Sequence, residues 1–199
     1  NGSSSPLVTS CTFAGNSAHQ GAGMYNDHGA PTVTSCTFSG NKGSSGGGMN
    51  NREAASQVRS CTFVANFASF GGGGMYNGKS APFVTSCTFS NNRSGTGGGM
   101  TNSASSPDVA FCTFSGNRAA PGAGMENMGS TVTVRDSAFL GNSSYFPGGG
   151  MYNLESSITV ERCLFSGNDA ESGGGIFDSR SVSTVTNSTF SGNRAADAG

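Results

Sequence analysis

A phenylalanine followed three residues later by an asparagine occurs eight times, at Phe13, Phe38, Phe63, Phe89, Phe114, Phe139, Phe165 and Phe190, always 25 or 26 residues apart. So regular a period means one supersecondary unit stacked on copies of itself, because a unit this short cannot bury its apolar side alone.

Aligned on Phe, each copy contains three short runs whose apolar positions lie two apart, the spacing of a strand. Five residues before Phe stands Val in every copy, from Val8 to Val185, and two before that Pro at Pro6, Pro31, Pro82 and Pro107, with Val132, Ile158, Ser56 and Ser183 in the other copies. Cys stands two before Phe at Cys11, Cys36, Cys61, Cys87, Cys112 and Cys163, with Ser137 and Ser188 in its place in the other two copies. The third run is Gly-rich and ends at Met24, Met49, Met75, Met100, Met125, Met151 or Ile176. Val, Cys, Phe and Met are expected to face inward, and the small residue two before Met, such as Ala22 or Ala123, to leave room for the Phe stack. Two asparagine rows, Asn16 to Asn193 and Asn26 to Asn153 with Asp178, are expected to mark turns through left-handed backbone and amide ladders. The two single-residue insertions, within 67–74 and 143–150, both follow the first of these rows. Together these patterns predict an all-β, right-handed parallel β-helix of about eight coils of 25–26 residues, with three short strands per coil.

The whole chain, 1–199, reads as a single β-helix segment. Asn1 to Pro6 repeat the register of Asn26 to Pro31, and Asp197-Ala-Gly199 stops in mid-repeat. No caps are visible, so further repeats of the same protein are expected at both ends. Net charge is −1 and no basic run occurs, which argues against a nucleic-acid partner. The longest apolar runs are a few residues, so no membrane insertion by this segment is expected.

Little in the chain suggests chemistry. Cys163 is separated from Cys112 by the coil carrying Ser137, roughly 9.6 Å at one strand spacing per coil and beyond disulfide reach, so a ladder of buried free thiols acting as small apolar residues is expected. No Cys-x-x-Cys pair or repeated Asp occurs, so neither metal nor cofactor is expected. In the densest charge group, stacking should set Arg135 over Glu161 and Asp136 over Arg162 as ion pairs. His19 and His28 have no acidic partner at a repeat-related position, and no catalytic residue is identified. The Gly runs are not followed by a helix or by Gly-Lys-Ser/Thr, so they read as steric rather than phosphate-binding.

One outward face remains as a candidate contact surface. Thr12, Thr37, Thr62, Thr88 and Thr113 precede the Phe column, and Ser39, Ser90 and Ser115 follow it. Regular hydroxyls on a flat strand face resemble ice-binding β-solenoids, and β-branched Thr also simply suits an exposed strand. Tyr25, Tyr76, Tyr152 and Phe177 offer an aromatic edge, and Lys42, Arg93, Arg118 and Arg194 a sparse basic row.

The paired motifs Gly-Gly-Gly-Met and Phe-Ser-Gly-Asn resemble the Gly-Gly-Ala-apolar and Phe-x-x-Asn motifs of chlamydial polymorphic outer-membrane proteins, over the whole chain. They are also similar to right-handed β-helix repeats that form passengers or stalks of bacterial adhesins. The resemblance implies a non-enzymatic structural or adhesive segment at the cell surface or outside the cell, with an unidentified protein or glycan partner. The alternatives are a fragment of a carbohydrate-active β-helix enzyme whose active site lies outside this segment, and an ice-binding solenoid using the Thr/Ser face.

Overall fold

Left-handed backbone sets the four corners of each coil. In the coil around Phe38 these are at His28 with Gly29, at Ser35, at Gly40 and at Gly46, with φ of 60°, 82°, 53°, 61° and 63°. In the computed structural model, which describes residues 3–198, the chain between these corners is extended, as Thr32–Thr34, Thr37–Ser39, Lys42–Ser45 and Met49–Arg52. Each strand pairs in parallel with its equivalent one coil away, giving two sheets of eight strands and two of seven. Registers are equivalent to equivalent: Val33 opposes Val58, Phe38 opposes Phe63 and Met49 opposes Met75. Asn1, assigned from sequence to the second asparagine row, lies outside the described residues.

Four strands per coil correct the expectation of three. The additional strand follows the Phe-x-x-Asn corner and forms a side sheet, from Lys42–Ser45 to Arg194–Ala198. Its inward positions hold Gly43, Ala68, Ser94, Ala119, Ser144 and Ala170, too small and mixed to give an apolar alternation. Backbone pairing between coils makes the strand anyway. Both insertions fall in or beside this sheet: Phe67–Gly71 shifts register after Ala68, and Ser143–Ser144 runs into an irregular turn at Tyr145 and Phe146.

The interior is a set of columns. Phe38, Phe63, Phe89, Phe114, Phe139 and Phe165 are fully buried, with neighbouring centroids 4.6–4.8 Å apart and ring planes within 5° of parallel. Each such ring contributes roughly 2–3 kcal/mol by burial, and the near-parallel stack shows that successive coils superpose with little twist. Columns of Val, Cys and Met complete the core, and only the first and last described coils, at Cys11, Val185 and Phe190, leave theirs open.

Room for the Phe column comes from the glycine immediately before Met, not from the position two before it. A Cβ on Gly48, Gly74 or Gly99 would stand 2.9 Å from Cδ1 of Phe63, Phe89 or Phe114 in the following coil. At the position two before, a Cβ on Gly47 or Gly98 would instead meet backbone carbonyls.

Three of the four corners share one hydrogen-bonding device. The residue after the left-handed one supplies a side-chain acceptor to the backbone N–H of its equivalent one coil earlier. Asn41 N–H donates to Asn66 Oδ1 at 3.0 Å, Cys36 N–H to Cys61 Sγ at 3.4 Å, and Ser80 N–H to Ser105 Oγ at 3.0 Å. A corner N–H thus finds a buried partner where the ladder of a strand cannot supply one. The left-handed residue of the first asparagine row is Gly40, Ala65 or Asn91, so the corner Asn acts through its side chain rather than its backbone angles. That Asn also donates to the Phe carbonyl of the previous coil, as Asn92 Nδ2 does to Phe63 O at 2.9 Å, and forward to the next amide. The second row, Asn26 to Asn153, is a simpler ladder in which each Nδ2 donates to the next Oδ1 at 2.7–2.9 Å.

Candidate functional site

The Thr/Ser face lies on the outer side of the Phe sheet. Thr12, Thr37, Thr62, Thr88 and Thr113 form one column in register, and Ser39, Ser90 and Ser115 lie in the second, with Ala14 before Ser39 and Val64 between Ser39 and Ser90. Because the rings beneath are nearly parallel, the face is flat, and its hydroxyls repeat once per coil, about 4.7 Å. Thr37, Thr62, Thr88 and Thr113 are half-buried by their neighbours, whereas Thr12 is exposed. The column breaks at Ala138 and Leu164 and resumes at Thr189.

At that break the surface turns apolar and charged. Phe111 is 61% exposed and left-handed, with φ 55°, where the preceding coils carry Ser. Asp136 and Arg162 follow it in successive coils, and the Arg162 guanidinium grips Asp136 at 2.7 and 2.9 Å. That bond holds the Asp136 carboxyl below its ordinary range. Glu161 joins Arg162 rather than Arg135. Arg135 turns to the preceding coil and takes Asp108 in a two-point clasp, 2.7 and 3.1 Å, so the expected Arg135–Glu161 pair does not form although their backbones are in register. The planar guanidinium matches both oxygens of Asp108, and Glu161 already has a cation at hand.

The aromatic edge on the outer side of the Met sheet is discontinuous. Its column runs Tyr25, Asn50, Tyr76, Thr101, Glu126, Tyr152, Phe177, and within it Tyr152 and Phe177 stack at 5.7 Å. Glu126 is 2% exposed, because the left-handed turn at Gly122 folds onto it. Its Oε2 lies 3.3 Å from the Thr101 hydroxyl, and burial pushes the carboxyl above its ordinary value. His28, expected to lack an acidic partner, stands 3.1 Å from both Asp27 and Glu53, and Glu53 occupies the equivalent position one coil on. The exposed corner places these side chains side by side.

The cysteines are free thiols, and all but Cys11 are buried. Each buried sulfur does more than fill space: Cys87 Sγ accepts the Cys61 N–H at 3.4 Å and stands 3.2 Å from the Thr85 carbonyl. That role explains the substitutes, since Ser137 Oγ accepts the Cys112 N–H at 3.0 Å. Burial holds the thiols of Cys36 and Cys163 above their ordinary value, and a bond to Cys112 helps push Cys87 up to about 12. Among the described residues no three His, Cys, Asp or Glu side chains gather to hold a metal.

Sequence reasoning missed one surface, the outer side of the side sheet. There Lys42, Phe67, Arg93, Arg118 and Ser143 form one column. The basic row and the two insertions both follow the same Asn corner, and alignment on that corner brings them together.

No curated protein matches this chain. A family described as a right-handed beta helix region matches residues 48–198, well over half of the sequence. With four parallel sheets wound coil on coil and these residues matched, the chain belongs to the right-handed β-helix family.

Proposed function

We propose that this chain is a non-enzymatic structural and adhesive segment of a secreted or cell-surface repeat protein, serving as passenger, stalk or extracellular fibre. The observation that carries the reading is the unbroken Phe column, whose rings keep 4.6–4.8 Å spacing and near-parallel planes from Phe13 to Phe190. A rod so stacked holds outward side chains at fixed intervals, and repetition multiplies weak contacts. The likeness of its Gly-Gly-Gly-Met and Phe-Ser-Gly-Asn motifs to those of chlamydial polymorphic outer-membrane proteins supports display at a surface. Burial shields five of the thiols from pairing, so the ladder is compatible with an oxidising compartment. The test is to present the labelled chain to intact cells and matrix polysaccharides while assaying the same polysaccharides for depolymerisation. Saturable binding without turnover is expected, and turnover by the isolated chain would make it an enzyme.

The flat hydroxyl face favours a second reading, ice binding. It predicts thermal hysteresis that Thr62→Lys with Thr88→Lys abolishes. A chain showing none overturns the ice-binding reading.

A further inference from the structure

Arg93 and Arg118 stand directly opposite each other on the outer side of the side sheet, and both are exposed. Like charges so placed repel. Every other arginine has a partner: Arg52 and Arg59 reach Asp27 and Gln57, Arg135 and Arg162 clasp Asp108 and Asp136, and Arg180 and Arg194 pair with Glu155 and Asp169. Arg93 and Arg118 have none among the described residues. The nearest acid in their column, Asp169, lies two coils beyond Arg118 and faces Arg194 at 3.9 Å.

Aromatic side chains close both ends of this pair. In the preceding coil the shifted strand exposes Phe67 and Phe70, at 39% and 59%, and in the coil after Arg118 the insertion exposes Tyr145 and Phe146, at 79% and 55%. The two insertions are thus three coils apart, about 14 Å at the stacking interval, with the two guanidiniums on the floor between. A cleft of about 190 Å³ is lined by Arg93, Arg118 and Tyr145.

We propose that this groove binds an acidic polysaccharide, with the paired guanidiniums taking a carboxylate or sulfate and the flanking rings stacking on sugar faces. Guanidinium is suited to such planar oxyanions, and a bridging anion removes the repulsion that the empty pair carries. Aromatic rings and arginines also suit single-stranded nucleic acid. A nucleic-acid strand needs a basic groove that tracks its backbone, whereas this column offers two adjacent arginines bounded by Phe67 and Ser143. The inference rests on the adhesive reading and gives it a partner class, on a face distinct from the Thr/Ser ladder.

The test is affinity electrophoresis at physiological salt through gels containing alginate, dextran sulfate, neutral dextran or poly(dT). Retardation by alginate, dextran sulfate or both, and by neither dextran nor poly(dT), is expected; the two acidic gels separate carboxylate from sulfate. The double variant Arg93→Gln with Arg118→Gln should weaken binding at least tenfold, and Tyr145→Ala or Phe70→Ala several-fold, while Arg180→Gln leaves it unchanged. Melting temperatures should show all of these variants folded, as their side chains are exposed. No retardation, equal retardation of the double variant, or stronger retardation by poly(dT) overturns the proposal. Binding to cells that persists in the double variant overturns the glycan groove and leaves the adhesive reading standing.

Discussion

Gly99 lies against the ring of Phe114 in the following coil so closely that a Cβ on Gly99 would stand 2.9 Å from Cδ1 and 2.5 Å from the carbonyl oxygen of Gly124. Neither neighbour has room to move, since one is backbone and the other sits in a stacked column. Gly99→Ala is therefore expected to cost about 3 kcal/mol. Gly141→Ala, at a left-handed corner with open space around it, should cost about 1 kcal/mol. Urea midpoints of the two variants check the order, and equal losses would refute the steric account.

Asn117 holds three coils together. It donates to Phe89 O and Asn142 Oδ1 at 2.9 and 3.0 Å, and its own Oδ1 accepts both the backbone and side-chain N–H of Asn92. Asn117→Ala strands several buried groups at once, and a loss of about 3 kcal/mol is expected in denaturant unfolding.

How much of this was legible follows from what each position does. Val, Cys, Phe and Met repeat as large apolar residues, so their columns and the parallel solenoid could be read from spacing alone. The side sheet could not, because Gly43, Ala68 and Ser94 carry no hydrophobic rhythm and its strand is made by backbone pairing. Nor could the sulfur's acceptor role, which depends on a left-handed residue just before it. Arg135 took Asp108 rather than Glu161 because side-chain reach, not register, decides an ion pair. The outward placement of Thr37, Thr62 and Thr88 follows from strand alternation, whereas the paired arginines needed two insertions to be seen on one wall.

Cys87→Ser should be nearly neutral and Cys87→Ala should cost about 1–2 kcal/mol, since only serine keeps an acceptor for the Cys61 N–H. Ser137 already plays that part for Cys112. Thermal melts of the two variants are the check.

Among the described residues Ser94 Oγ is buried without a hydrogen-bond partner, in register with Ala68 of the same inward column. Ser94→Ala is expected to stabilise the fold by about 1 kcal/mol, read as a raised urea midpoint.

Glu126 ties stability to pH. Its folded carboxyl titrates above the ordinary 4.5, so the folded state holds the proton more tightly than the unfolded chain. Its contribution is intact below that ordinary value and is lost as pH rises through the raised one. Glu126→Gln should therefore melt higher than the parent at pH 7 and about equally at pH 4. An identical difference at both would show that ionisation plays no part.

In the column from Asn26 to Asn153 every amide donates to the coil that follows. A plane cut across the rod therefore has unlike sides, hydrogens on one and lone pairs on the other. The row closes at Asp178, whose carboxylate accepts from Asn153 at 2.7 Å and has no N–H to pass on. The rod is thus polar along its length, with an acceptor-only end to its amide row.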